Sequence, residues 1–294
     1  MTSNLNSSPN FQRSTKPMPA SRDRPWVKVV LIAIAIVYLT LILFIPTINV
    51  FYQAFAKGWA PFFANLVEAN FLTAVNLTLI IALIVVPINT VFGLCAAWLI
   101  ARKRFRGRAF VISILDVPFS VSPVVAGLMI VLLYGRNGWF GGFLQQYDVK
   151  IIFALPGMIL ATAFVTIPFV AREVIPVLEE AGAEQEEAAK TLGANGWQTF
   201  WRITLPNIRW GLLYGVLLTN ARAMGEFGAV SVVSGNIIGK TQTLPLFVED
   251  AYKQYQTEAA FSAAVLLALL ALVTLVLKEI VERKTSIKEV RDEV

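Results

Sequence analysis

Long apolar runs separated by polar connections set the pattern of this chain. A helix that spans a membrane needs roughly 20 predominantly apolar residues, and six stretches meet that requirement. Because backbone polar groups in lipid must find partners within the segment, each stretch is predicted to be helical. The pattern therefore predicts an all-α integral membrane protein with six transmembrane helices. The predicted spans are Val27–Val50, Phe71–Ile100, Ala109–Tyr134, Ile151–Val170, Trp210–Val233 and Ala259–Leu277.

Prolines interrupt two of these spans. The second contains Pro87, and the third contains Pro118 and Pro123. A proline inside a helix removes one backbone donor and clashes with the preceding turn. We therefore expect kinks or breaks in both spans.

Composition supports a membrane protein and excludes several kinds of site. The chain is 56% hydrophobic and 15% charged, which is too apolar for an ordinary soluble domain. It has no histidine and a single cysteine, Cys95, within an apolar run. An internal disulfide is impossible, and no metal site is expected. We interpret Cys95 as a small residue that faces lipid or a neighbouring helix.

Basic residues concentrate on alternate connections, which predicts the orientation. The N-terminal region and the connection between the second and third spans carry five each, whereas the alternate connections carry one or two. Both termini are therefore predicted to be cytoplasmic. The cluster at 102–108 is interpreted as a topology anchor and lipid-headgroup contact, not as a nucleic-acid patch. These basic residues are Arg13, Lys16, Arg22, Arg24, Lys28, Arg102, Lys103, Arg104, Arg106 and Arg108.

The cytoplasmic connection between the fourth and fifth spans has a strong helical pattern. Pro176 suits the first turn of a helix that we predict to continue to Leu192. Gly193 can close that helix in a left-handed conformation. Asn195 and Gln198 form a predicted capping pair for a second helix, which Pro206 is expected to end.

The second predicted helix has an aromatic edge. Trp197, Phe200, Trp201 and Thr204 follow i, i+3, i+4 and i+7 spacing and share one side. Such a helix could lie on lipid, as interfacial helices do. It could also form a helical hairpin that packs on its own spans, or dock on a partner protein.

The full spacing of this connection resembles the EAA signature of binding-protein-dependent ABC importer permeases. Glu-Ala-Ala is followed by three residues, Gly, nine residues, Ile, one residue and Leu-Pro. The resemblance implies the type I ABC importer permease fold, with a cytoplasmic coupling helix that seats in a groove of a separate ATPase subunit. The implied ATPase-coupling residues are Glu187, Ala188, Ala189, Gly193, Trp197, Phe200, Trp201, Ile203, Leu205 and Pro206.

The expected organisation follows from the spans and this signature. We expect a disordered cytoplasmic tail at 1–25, with no cleavable signal peptide, and a first transmembrane helix with an external loop at 26–70. The transmembrane core is predicted over 71–278, including the EAA loop at 177–206, and a cytoplasmic C-terminal tail over 279–294.

The chain lacks a site for its own energy supply. The stretch Ser234–Thr241 approximates a phosphate-binding loop, but serine replaces the required first glycine, and the stretch lies in an external loop. No catalytic residue or cofactor is therefore expected in this chain, and ATP-Mg belongs on partner ATPase subunits. A membrane enzyme would need acid–base groups that the chain scarcely has. A secondary transporter would show paired repeats and would not need a coupling segment.

Charged residues in the fifth span indicate a path for an anion. Arg222 and Glu226 lie four residues apart, one turn along one face of the predicted helix. An ionised side chain at mid-membrane costs about 2.5–3.5 kcal/mol, so such residues usually face a cavity or a partner. Arg222 could line the path with Glu226 holding its side chain. Alternatively, the two form a purely structural pair, or Arg222 reaches the cytoplasmic surface.

The third span offers a second candidate element of the path. Ser120 and Ser122 lie between its two prolines, and a broken helix there could direct backbone N–H groups at an oxyanion. The alternative is a proline kink that neighbouring helices satisfy. Asp116 would repel an anion, so we expect it to pair with a cationic or N–H group near the cytoplasmic end.

A finer resemblance concerns the substrate. "ARAMGEFGAVSVVSGNI" and "TQTLPLFVEDAY" resemble the sulfate/thiosulfate importer permeases of the CysW type. Molybdate/tungstate permeases share a similar GEFGA stretch and are the alternative. The resemblance implies a bacterial cytoplasmic (inner) membrane, a heterodimer with a related T-type permease, two ATPase subunits and an external sulfate-binding protein. The residues alone leave the preferred oxyanion open.

Overall fold

The computed structural model describes residues 25–292, and the secondary structure in that range is entirely helical. The predicted tail lies outside the described residues except for Pro25. The helices are α1 (Pro25–Leu39), α2 (Ile45–Ala54), α3 (Trp59–Leu66), α4 (Ala69–Arg102), α5 (Arg108–Ser120), α6 (Pro123–Tyr134), α7 (Gly141–Gln146), α8 (Leu155–Glu180), α9 (Glu184–Thr191), α10 (Gly196–Thr199), α11 (Leu205–Met224), α12 (Gly228–Ser234), α13 (Leu244–Lys253) and α14 (Thr257–Asp292).

The described residues divide into two compact units, with the boundary between residues 49 and 50. In the first unit, α1 continues through a π-helical turn, Thr40–Phe44, into α2. Every side chain from Trp26 to Asn49 is exposed. A helix that is apolar on all sides and buries none of them is typical of a membrane span.

The second unit is built around α8. Asn89 of α4 donates to Thr166 of α8 (2.8 Å), and Arg102 at the end of α4 donates to the carbonyl of Leu178 (2.6 Å). The two helices therefore run parallel. Helix α11 runs antiparallel to α8 and approaches it closely, since a Cβ on Gly215 would lie 3.0 Å from the Cα of Val170. Small residues at such positions let membrane helices pack tightly.

Four described helical stretches are long and apolar enough to span a membrane, or five if the bent pair α5–α6 counts as one span. Helix α4 runs through Pro87 without a break, so of the expected kink or break only the break is excluded. The axes of α5 and α6 differ by 108°, which confirms the expected break in the third span.

The predicted span Trp210–Val233 was wrong as one continuous helix. Helix α11 begins earlier, at Leu205, and the chain leaves it after Met224. In the turn that follows, the carboxylate of Glu226 accepts from the amide of Ala229 and so caps the start of α12. Two asparagines and two arginines also lower the hydropathy of α11, namely Asn207, Arg209, Asn220 and Arg222.

Candidate functional site

The connection between α8 and α11, which we call the coupling segment (residues 184–206), folds largely as its turn chemistry predicts. Gly193 has φ +86°, which confirms the left-handed residue after α9. The side chain of Asn195 accepts from the amide of Gln198 (2.8 Å), and the side chain of Gln198 accepts from the amide of Asn195 (3.0 Å). These bonds confirm the predicted capping box at the start of α10.

Both prolines have positions that differ from the prediction. Pro176 lies inside α8, which continues to Glu180, and the chain then breaks at Gly182 with φ +64°. Pro206 occupies the first turn of α11 and begins a helix instead of ending one. Proline fits a first turn because its missing N–H has no partner there. The second predicted helix therefore continues through a π-helical turn, Phe200–Thr204, into α11.

Aromatic side chains form an exposed cluster on the coupling segment, as predicted. The ring centroids of Trp197 and Trp201 are 5.6 Å apart, and those of Trp197 and Phe200 are 6.1 Å apart. Trp197 is 71% exposed and Trp201 is 51% exposed. Leu192, which the sequence reasoning missed, is 88% exposed on the same segment. Exposed apolar side chains grouped in this way mark a surface that another molecule covers.

The other residues of the signature differ in exposure. Ala189 is buried, whereas Glu187 and Ala188 are exposed. Ile203 and Leu205 are half-buried, and Pro206 is exposed.

A buried ion pair holds the coupling segment to the membrane core. Glu186 Oε1 accepts from Arg102 Nε (3.1 Å) and from the hydroxyl of Thr204 (2.9 Å). The side chains of Arg102 and Glu186 are only 10% and 8% exposed. Because Arg102 also donates to Leu178, this pair joins the ends of α4 and α8 to both halves of the segment.

The sequence reasoning missed this pair because it treated the basic cluster as a unit. Arg102 is buried and therefore does not contact lipid headgroups. Arg108 donates to Glu179 (2.5 Å) and to the carbonyl of Ile100 (3.0 Å). Two adjacent glutamates precede Ala188, and the linear pattern gave no means of knowing which one points inward.

The predicted pair in the fifth span forms, with a different backbone. Arg222 Nη1 lies 2.9 Å from Glu226 Oε2, at ion-pair distance but without the alignment of a hydrogen bond. Glu226 lies beyond the end of α11 and is fully buried, and its Oε1 accepts from the amide of Ala229 (2.9 Å). Since Arg222 remains 35% exposed, the arginine is the accessible member of the pair.

The break between α5 and α6 places Ser120 and Ser122 on the surface of the unit. Pro123, the first residue of α6, packs against α12, where a Cβ on Gly228 would come within 2.8 Å of the proline Cβ. The break therefore adjoins the helix that Glu226 caps. Among the described contacts, no hydrogen bond joins either serine hydroxyl to Arg222 or Glu226.

A second ion pair in the membrane core involves a residue that the sequence reasoning missed. Asp116 Oδ1 accepts from Arg172 Nε (2.9 Å), and Arg172 Nη2 lies 2.6 Å from the same oxygen. This confirms that Asp116 pairs with a cation. The signal for Arg172 was a charged residue within the fourth apolar run, which the predicted span, ending at Val170, left out.

Comparisons with known proteins identify the fold and the family. The model of the family described as "Binding-protein-dependent transport system inner membrane component" matches residues 89–287. A protein named "Sulfate transport system permease protein CysW" from Synechocystis sp. is 70% identical over 259 residues, covering 88% of this chain and 94% of the relative. A protein named "Sulfate transport system permease protein CysT" from Escherichia coli is 38% identical over 240 residues, covering 81% and 87%.

A solved structure shows the same fold. It is a bacterial ABC transporter involved in the import of the acidic polysaccharide alginate, with a TM-score of 0.74 at 19% identity, covering 88% of this chain and 96% of the solved chain. The relatives are named as permeases, which confirms that the chain is a multi-pass transporter component and not an enzyme. The chain belongs to the family of binding-protein-dependent transport system inner membrane components.

Proposed function

We propose that this chain is the permease subunit of an ATP-driven sulfate/thiosulfate importer. It forms half of the translocation path and couples to a separate ATPase through the coupling segment. One observation supports the coupling role: Leu192, Trp197 and Trp201 are exposed on a segment that a buried ion pair holds to the membrane core. A rigid segment with an exposed apolar surface can transmit the movement of a bound partner. The residues that contribute most of the binding energy at protein interfaces are enriched in aromatic side chains.

Sulfate is proposed as the substrate because the relatives at high identity are named as sulfate permeases. The molybdate/tungstate alternative is not favoured by these relatives. The half-exposed guanidinium of Arg222 fits the transfer of a dianion. The path should bind the anion weakly, because a tight site would trap it, and capture belongs to an external sulfate-binding protein.

The proposed assembly contains a second, related permease of the T type. The relative named CysT, which is 38% identical to this chain, is an example of such a permease. One chain supplies one coupling segment, whereas two ATPase subunits need two. The proposed complex is thus a permease heterodimer with two ATPases that bind ATP-Mg, an external binding protein and the surrounding lipid bilayer.

The proposed orientation places the coupling segment in the cytoplasm. The ends of α4 and α8 and the starts of α5 and α11 meet at the segment, and the basic residues 102–108 lie at the same end. Basic connections stay on the cytoplasmic side. Both termini are proposed to be cytoplasmic on the same rule.

Reconstitution tests this proposal. The chain, its T-type partner, the ATPase and the sulfate-binding protein are assembled in proteoliposomes, and uptake of labelled sulfate is followed with and without ATP. We expect ATP-dependent sulfate uptake that is lost when any one component is omitted. Uptake of molybdate in preference to sulfate, or transport by this chain alone, would contradict the proposal.

A further inference from the structure

The ion pair between Arg172 and Asp116 lies about two helical turns from the end of the bundle that carries the coupling segment. Arg172 is eight residues before the end of α8, and Asp116 is eight residues after the start of α5. At 1.5 Å per residue, both lie about 12 Å from the end of the bundle that carries the coupling segment. The pair is nevertheless open, since the side chain of Arg172 is 55% exposed and that of Asp116 is 31% exposed.

Such exposure is unfavourable on a face that contacts lipid hydrocarbon. Charged side chains in the hydrocarbon region are costly and face a bundle interior or a water-filled cavity. A cavity of about 330 Å³ lies between α5 and α8, and two ion pairs line it. The second pair, Arg108 with Glu179, lies nearer the end that carries the coupling segment. This face of the unit is therefore expected to border water.

Arg172 lies at a different depth from Arg222. Helix α11 is antiparallel to α8, and Met224 lines the same small cavity as Thr162. Arg222 is therefore level with the turn of α8 around Phe164, eight residues before Arg172. The two arginines are separated by about 12 Å along the axis of α8.

The broken helix connects the surroundings of the two arginines. Before the break, the guanidinium carbon of Arg172 lies over the ring of Phe119, 5.6 Å from the ring centroid. After the break, Pro123 packs against Gly228, two residues from Glu226. The exposed serines of the break thus lie between Phe119, which contacts Arg172, and Pro123, which packs near Glu226.

We propose that Arg172 and Asp116 form a second anion-binding step of the translocation path, on the coupling-segment side of Arg222. This inference rests on the proposed anion transport and adds a site to it. An oxyanion leaving Arg222 binds the Arg172 guanidinium, whose Nη1 has no hydrogen bond to a described residue. Asp116 holds the arginine in place between transport cycles and repels the bound dianion, which keeps the step weak and favours release.

A pair of variants in the reconstituted complex separates this role from a structural one. Arg172→Gln should lower sulfate uptake by roughly tenfold, the scale of a lost hydrogen bond to a charged group. The double variant Arg172→Gln/Asp116→Asn leaves no unpaired charge, so it should restore a structural contact but not an anion site. We expect the double variant to assemble normally and to stay as slow as the single one. Recovery of uptake in the double variant, or failure of both variants to assemble, would overturn the inference.

Cysteine accessibility tests whether the face borders water. In a Cys95→Ser background, Arg172→Cys in inside-out vesicles should react with the positively charged trimethylammonium-ethyl methanethiosulfonate, and sulfate should slow the reaction. The added charge should restore part of the uptake, whereas the negatively charged sulfonatoethyl reagent should not.

The matched control is Leu83→Cys, at a position of α4 that is 74% exposed and expected to face lipid, which should not react. If the wild-type complex takes up sulfate while the thiol of the Arg172→Cys variant stays unreactive, only this inference is contradicted. If the wild-type complex takes up no sulfate, the proposed function itself fails.

Discussion

The coupling segment and the membrane core expose opposite kinds of side chain. In the segment, the ion pair Arg102–Glu186 is buried, and the side chains of Leu192 and Trp197 are exposed. In the core, Arg172 and Arg222 keep part of their charged surface accessible among apolar helices. A buried charge and an exposed apolar surface are each unfavourable unless another group contacts them. The side chains that each region exposes therefore indicate the kind of partner that it contacts.

Under the proposed function, this difference corresponds to a different partner for each region. The segment buries its charge as a fixed support and exposes apolar side chains, which in the proposal contact a groove of the ATPase. The core packs through apolar side chains and exposes charge, which in the proposal binds the anion. Substitutions that remove a supporting ion pair should therefore lower the stability of the chain. Substitutions that remove an exposed contact side chain should instead lower transport.

The largest effect is expected from Glu186→Ala. Removing one partner of a buried pair leaves Arg102 without its carboxylate, which costs about 3–5 kcal/mol. The purified chain should show a large fall in the free energy of unfolding. Glu187→Ala, at the exposed neighbouring position, is the matched control and should leave stability nearly unchanged. Equal stability of the two variants would show that the buried pair does not support the segment.

The next effect is expected from Gly193→Val. Its φ of +86° strains a β-branched residue, although no atom lies within 4 Å of the added Cβ. The strain is worth about 1–3 kcal/mol, and uptake should fall while membrane insertion stays normal. Gly193→Asn tolerates this conformation and should transport close to wild type. Wild-type uptake by the valine variant would contradict the need for the bend.

In the core, the double variant Arg222→Ala/Glu226→Gln removes the accessible guanidinium without leaving the buried carboxylate of Glu226 unpaired. Sulfate uptake should fall roughly tenfold, as for a lost hydrogen bond to a charged group, while assembly and basal ATP hydrolysis stay near wild type. Glu226→Gln should impair less, because glutamine can still accept from the amide of Ala229. If the double variant dissolves the complex, the pair is structural and the assignment to the path is wrong.

The smallest effect is expected from Asn195→Ala. Loss of the cap should destabilise α10 by about 1 kcal/mol, and hydrogen exchange of the Gln198 amide should accelerate. Asn195→Ser can still cap and should exchange almost as slowly as wild type. Unchanged exchange in the alanine variant would show that the packing of the aromatic cluster, and not the cap, fixes this turn.

The sequence predicted what local chemistry decides. The left-handed Gly193, the capping box at Asn195 and the aromatic cluster depend on neighbours within a few residues, and all were confirmed. Pro176 and Pro206 were placed wrongly because a proline in a first turn and one inside a helix look alike when the neighbouring packing is unknown.

The remaining features required tertiary contacts. The Arg102–Glu186 pair joins residues 84 apart, and the Arg172–Asp116 pair joins residues 56 apart. Helical periodicity shows which residues share a face but not which face meets another helix. The break after Met224 was also missed, because it depends on Glu226 capping the next helix.

Cross-linking tests the central claim, docking of the coupling segment on an ATPase, most directly. In a Cys95→Ser background, Trp197→Cys should form a cross-link to the ATPase subunit in the assembled complex, and the yield should change when ATP binds. The matched control is Tyr255→Cys, 91% exposed before the start of α14 at the opposite end of the unit, which should give no such product. A complex that transports sulfate while the thiol of the Trp197→Cys variant forms no link to the ATPase would contradict the account.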